Sequence, residues 1–146
     1  MTIDQFVERM MELYPRIARA IAAHESDYLS QGKITLPQFW TLDYLHCHGQ
    51  STMTEISRFL RISRAATTGL IDRLLIQGLI LRGKESGDRR LVRIDLTAKG
   101  HRIIKHIREQ KHKNLTHVFT RISATDRSEH LRILEQIAKT GSSQGS

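Results

Sequence analysis

A single cysteine, Cys47, in 146 residues excludes an internal disulfide, and one sulfur cannot build a Cys-based zinc cage. No stretch approaches ~18 uninterrupted apolar residues, which excludes a spanning helix, so no membrane association is expected. Asp4 and Glu8 interrupt the first residues where a secretion signal would place a basic start and an apolar run, and a cytoplasmic protein is expected. Enzyme signatures are missing as well. No glycine-rich phosphate loop follows a strand, there is no nucleophile elbow, and the Ser, His and acidic residues show no catalytic spacing. Neither an enzyme nor a cofactor is expected. The length suits one folded domain, and 39% hydrophobic with 26% charged residues is ordinary for a soluble one.

Positive charge is abundant and unevenly placed. The formal net charge is +8, which favours a polyanionic partner. Residues 55–113 hold fifteen Lys and Arg against six Asp and Glu, while the two ends together hold eight against nine. The excess is therefore confined to the middle of the chain. Sixteen of the basic residues are Arg and seven are Lys; the planar guanidinium fork suits phosphates and base edges better than a point charge does, which favours nucleic acid.

Ile3, Phe6, Met10, Leu13, Ile17, Ala20 and Ile21 recur at helical spacing and predict a long amphipathic N-terminal helix, with a kink or restart at Pro15. Thr35 caps a second helix with Pro37 in its first turn, ending at Gly49. Thr54 precedes a short helix through Ile56, Phe59 and Leu60, and Ser63 then caps a helix over 63–77 that buries Ala66, Leu70, Leu74 and Leu75 and ends at Gly78. Leu79, Ile80 and Leu81 begin a strand; Val92, Ile94 and Leu96 alternate as its partner. The intervening 82–90 is glycine and charge. Thr97 caps a helix that carries an apolar stripe to Ile122 and spans roughly 40 Å, too long for one small core to cover. Ser123 to Asp126 restart a last helix through Leu131, Ile133, Leu134 and Ile137, before a disordered tail over 141–146.

Two helices joined by a tight turn and followed by a basic hairpin fit a winged helix-turn-helix, with one helix for the major groove and a hairpin for the neighbouring minor groove. The fold class expected is mainly α with a small β-hairpin wing. It divides into an N-terminal dimerisation helix (1–30), a DNA-binding lobe (35–97), C-terminal dimerisation helices (98–140) and the tail. Ser63, Arg64, Ala65, Thr67 and Thr68 supply the small, polar and forked side chains that an inserted helix needs.

The run MTEISRFLRISRAATTGLIDRLLIQGLILRGKESGDRRLVRIDLTAKG over 53–100 strongly resembles the MarR family of bacterial transcription regulators. Its most specific parts are Asp88-Arg89-Arg90 and Leu96-Thr97-Ala98-Lys99-Gly100. The resemblance implies a homodimeric regulator with interlocked terminal helices, a repressor on a palindromic double-stranded operator relieved by a small lipophilic or aromatic ligand, whose pocket residues the sequence does not name. It implies DNA contacts from Ser63, Arg64, Ala65, Thr67, Thr68, Arg73, Lys84, Arg89 and Arg90, with Arg90 entering the minor groove. Asp72 would pair with that wing arginine, and Asp88 would help to orient the hairpin. Phe6, Met10, Leu13, Phe119, Leu131 and Leu134 are the candidate dimer contacts.

Two other readings share the scaffold: a redox- or metal-responsive regulator, and an architectural binder without sequence preference. His101, His106, His112 and His117 are five and six residues apart, whereas a helical ligand pair needs three or four. No metal is expected. Cys47 follows Leu45 near the end of an apolar helix and is expected to be a buried, inert thiol.

Overall fold

The computed structural model describes residues 1–23, 27–84 and 92–142. The elements in chain order are α1 (Ile3–Ala22), α2 (Asp27–Ser30), α3 (Leu36–His48), β1 (Ser51–Thr52), α4 (Met53–Leu60), α5 (Arg64–Ile76), β2 (Ile80–Lys84), β3 (Val92–Leu96), α6 (Ala98–Phe119) and α7 (Ala124–Ser142). They divide into two units, Met1–His24 with His112–Ser146, and Glu25–Lys111. Among the described residues no helix is long and apolar enough to cross a membrane.

Local chemistry sets the helix ends of the Glu25–Lys111 unit. Thr35 Oγ1 accepts the Gln38 amide at 3.3 Å while Gln38 Oε1 accepts the Thr35 amide at 2.9 Å, a reciprocal cap that satisfies two orphan donors. Thr52 and Glu55 repeat the device at α4, so this helix starts two residues before the position expected from Thr54. Ser63 Oγ accepts the Ala66 amide at 3.0 Å and opens α5. Between α4 and α5 the chain turns through Arg61, whose φ of 55° lies in the left-handed region, an unusual place for a side chain larger than glycine or asparagine. Gly78, at φ 70°, supplies the same conformation after α5 at no steric cost.

The core of this unit gathers Ile34, Phe39, Leu42 and Leu45 with Ile56 of α4, Ile71 and Leu74 of α5, Leu79 and Ile80, Ile94 and Leu96 of β3, and Ile104 and Ile107 of α6. The first half of α6 therefore packs in the same core as α3 to β3. The strands form one antiparallel sheet in the order β1-β3-β2. Ile80 faces Leu96, Arg82 faces Ile94 and Lys84 faces Val92, while Ser51 faces Ile94 on the other side of β3. The two-residue β1 was absent from the sequence reading because two residues carry no periodicity.

The Leu96-Thr97-Ala98-Lys99-Gly100 segment fastens α6 to the end of α5. The Thr97 amide donates to Leu79 O at 3.1 Å, its hydroxyl donates to Gly78 O at 2.6 Å, and the Lys99 ammonium donates to Gln77 O at 3.0 Å. Thr97 Oγ1 also accepts the Gly100 amide at 3.0 Å. A β-carbon at Gly100 would lie 2.0 Å from Leu79 O, so only glycine admits this approach.

In the other unit α1 runs unbroken through Pro15 and buries no residue; the restart expected there does not occur. The 22 residues of α6 span about 33 Å at 1.5 Å per residue, shorter than the sequence stripe implied. Arg127 donates to the carbonyls of Phe119 and Ile122, placing a cation where the last α6 carbonyls lack helical partners. Ser123 Oγ accepts the Asp126 amide at 3.1 Å and starts α7. That helix continues through Gly141 and Ser142, where the composition predicts a disordered tail.

Candidate nucleic-acid interface

α5 presents one end of a 13-residue helix. Ser63, Arg64, Ala65 and Thr68 are exposed there, and Arg73 is exposed in the last turn. Arg64 does not hang free: its Nη1 donates to Thr54 Oγ1 at 3.0 Å, which holds the guanidinium beside the start of α4. Thr68 Oγ1 donates back to Arg64 O at 3.0 Å, leaving its methyl and both lone pairs of the oxygen for a partner.

Thr67 corrects the sequence reading. Its side chain is fully buried, its hydroxyl donates to Ser63 O at 2.9 Å and accepts from Ser57 Oγ at 2.9 Å. It joins α4 to α5 and cannot reach DNA. Ala66, expected in the core, is exposed instead. The buried face is Thr67, Leu70, Ile71 and Leu74; it is set by a hydroxyl whose hydrogen bonds are satisfied inside the fold, which apolar periodicity does not register.

The stem of the hairpin is held against α5. Arg82 Nη2 lies 2.9 Å from Asp72 Oδ1, with both side chains about half exposed. Among the described residues the partner of Asp72 is Arg82 of β2, whereas the partner expected from the resemblance is Arg90. The backbone of Lys84 ends β2; Asp88, Arg89 and Arg90 lie outside the described residues. Sequence reasoning missed Arg82, Thr54 and Ser57. Each acts through a neighbour distant in sequence, and only the basic composition of 82–90 gave a hint of the first.

Cys47 is exposed, contrary to the buried thiol expected. Its sulfur lies 3.7 Å from Arg108 Nη1, and the same guanidinium pairs with Asp43. The hydrogen bond and charge of Asp43 hold the Arg108 pKa further above its ordinary value. The rings of His46 and His101 approach to 6.5 Å, yet among the described residues no group of three His, Cys, Asp or Glu could hold a metal ion.

A helix-turn-helix with a buried polar seam, a hairpin stem tied to its second helix and a long helix latched behind it is the geometry that comparison with known proteins meets. The profile of the MarR family matches residues 34–92. The HTH-type transcriptional regulator YsmB of Bacillus subtilis is 37% identical over 120 residues, covering 82% of this chain and 80% of that protein. The chain belongs to the MarR family. The multiple antibiotic resistance protein MarR of Salmonella typhimurium is 32% identical over 69% of this chain and 70% of its own length. A MarR family protein from Bacillus stearothermophilus superposes with a TM-score of 0.76 and 28% identity, over 97% of this chain and 99% of that one. MarR family members are winged-helix transcription regulators and not enzymes.

Proposed function

We propose that this MarR family regulator acts in the cytoplasm as a homodimeric repressor of a palindromic operator, relieved by a small lipophilic or aromatic ligand. The observation that carries the reading is the coincidence of the cationic stretch over 55–113 with the lobe on which Arg64, Ala65 and Thr68 stand exposed at the start of α5. Arg64 reads a base edge in the major groove. Ser63, Ala65, Thr68 and Arg73 fit the helix to the backbone, while Lys84, Arg89 and Arg90 carry the wing into the minor groove, with Asp88 steadying it.

The second copy is supported by the apolar faces left open on one chain. Ile3, Phe6, Val7, Met11 and Ile17 on α1 and Leu131, Ile133, Leu134 and Ile137 on α7 are all exposed, and large exposed apolar patches mark interaction surfaces. Phe6, Met10, Leu13, Phe119, Leu131 and Leu134 belong to that interface. Two recognition helices enter successive major grooves when they stand ~34–36 Å apart. A ligand that binds better to a dimer of another spacing releases DNA through that difference in affinity alone. A MepR-like protein of the same fold was solved with pseudoligands bound, which supports a ligand-responsive reading.

Selecting bound fragments from the source genome tests the proposal. The expected result is a shared palindrome whose half-sites lie about one helical turn, ~10 base pairs, apart, bound by a protein that sediments as a dimer. Fragments without a common motif would favour the architectural reading, and a monomer at micromolar concentration would overturn the dimer.

A further inference from the structure

Among the described residues four have a positive φ, and three of them are glycines: Gly32, Gly49 and Gly78. The fourth is Arg61, at the turn between α4 and α5. The chain path demands this conformation, because the Arg61 amide donates to Ser57 O and the Ile62 amide donates to the same carbonyl at 3.4 Å, a helix ending built on a left-handed residue. Glycine would supply it at no steric cost. Asparagine would supply it with a short polar side chain that bonds locally to the backbone, and an arginine is not short. Strain of this kind clusters where the side chain itself has a task.

The surroundings are cationic. Arg58, Arg61 and Arg64 are all exposed, and over 53–71 the one acidic residue is Glu55, whose carboxylate accepts the Thr52 amide. Arg61 stands two residues before Ser63, whose hydroxyl caps α5. When the start of the second helix of such a motif enters a major groove, the helix before it crosses the sugar-phosphate backbone. The turn between them is then level with the phosphates rather than with the base edges. We propose that Arg61 grips a DNA phosphate from this turn, and that the left-handed arginine is kept in place of glycine for that grip. The contact carries no sequence information; it fixes the register at which Arg64 meets the bases. This rests on the DNA-facing reading of α5 above and adds to it a residue that the sequence motifs did not mark. Removing the side chain then has opposite effects on folding and on binding, the pattern of a stability exchanged for function.

The test uses the full-length protein and two probes, a random-sequence duplex and the palindrome recovered from the genome, with urea titration of the same samples. Arg61→Gly should raise the urea midpoint and weaken both duplexes about tenfold, the scale of a lost charge-assisted hydrogen bond. It should also reduce the slope of log affinity against log salt by about one per chain. Arg61→Lys keeps the charge and should keep the slope. Arg61→Gln keeps a long side chain and the strain, and should lose the slope without gaining stability. Unchanged affinity and salt slope in Arg61→Gly would overturn the assignment, since residue 61 would not touch DNA. So would a lower urea midpoint, which would make the side chain a part of the fold, and so would weakening confined to the palindrome, which would make Arg61 a base reader. The operator reading fails separately: wild-type protein that binds both duplexes equally, with the Arg61 effects intact, would defeat sequence-specific repression and leave the phosphate grip standing.

Discussion

Arg82 and Asp72 join the first strand of the hairpin to the helix that precedes it, Nη2 to Oδ1 at 2.9 Å. The pair joins the two parts that the proposed function brings to DNA together. Because both side chains are about half exposed, solvent screening limits its contribution to stability to at most about 1 kcal/mol. Its larger effect is on orientation, since a hairpin fixed before DNA arrives loses less freedom on binding. Asp72→Asn is expected to lower operator affinity several-fold with little change in melting temperature. The charge-reversed double variant Asp72→Arg with Arg82→Asp should recover part of the loss; fluorescence anisotropy on one operator measures both.

Gly100 should be the least replaceable residue of the lobe. Its missing side chain leaves room for Leu79 O, which a β-carbon would meet at 2.0 Å, and the obstacle is backbone rather than a movable side-chain end. Gly100→Ala is expected to destabilise at or beyond the upper end of the roughly 1–3 kcal/mol usual for overpacking. Urea titration gives the value, and a change within error of zero would mean that α6 does not approach Leu79 as described.

Thr67 and Thr68 separate packing from recognition although they are adjacent. Thr67→Val removes the hydrogen bonds to Ser63 O and Ser57 and should cost about 1 kcal/mol of stability without changing which operator bases are preferred. Thr68→Val should leave stability nearly unchanged and alter operator affinity. A denaturation curve and a panel of mutated operators distinguish the two patterns.

Cys47 is exposed beside Arg108, so a thiol-specific chromogenic reagent should titrate one equivalent per chain in the native protein at neutral pH. Reaction only after denaturant is added would mean that the thiol is covered.

Much of the lobe was legible because its punctuation is local. Thr35 and Ser63 cap, Pro37 sits where no donor is needed, and Gly49 and Gly78 end helices, all within a few residues of the bonds they make. The failures share a different cause. The apolar neighbour Leu45 predicts a buried Cys47, yet residues two apart on a helix point roughly 200° from each other, and Leu45 is buried while Cys47 is not. On α5 the apolar residues surround the helix, with Ile76 at 87% exposure, so periodicity could not choose between Ala66 and Thr67 for the core. Ser57, ten residues earlier, made that choice through a hydrogen bond. The partners of Asp72 and Arg64 likewise depend on tertiary approach. The basic stretch over 55–113 covers most of α4, α5, both hairpin strands and the first part of α6, a coincidence legible without any register.

The central claim is that this lobe reads sequence rather than only charge. Binding isotherms at several salt concentrations, on the selected palindrome and on a scrambled duplex of equal composition, test it most directly. The wild-type protein should favour the palindrome at every salt concentration, with affinity falling linearly on logarithmic axes as salt rises. Arg64→Ala should lose roughly 1–3 kcal/mol on the palindrome and relax preference at one position in each half-site, whereas Arg90→Ala should weaken both duplexes and flatten the salt dependence. Equal wild-type affinity for the two duplexes across the salt range would contradict the account.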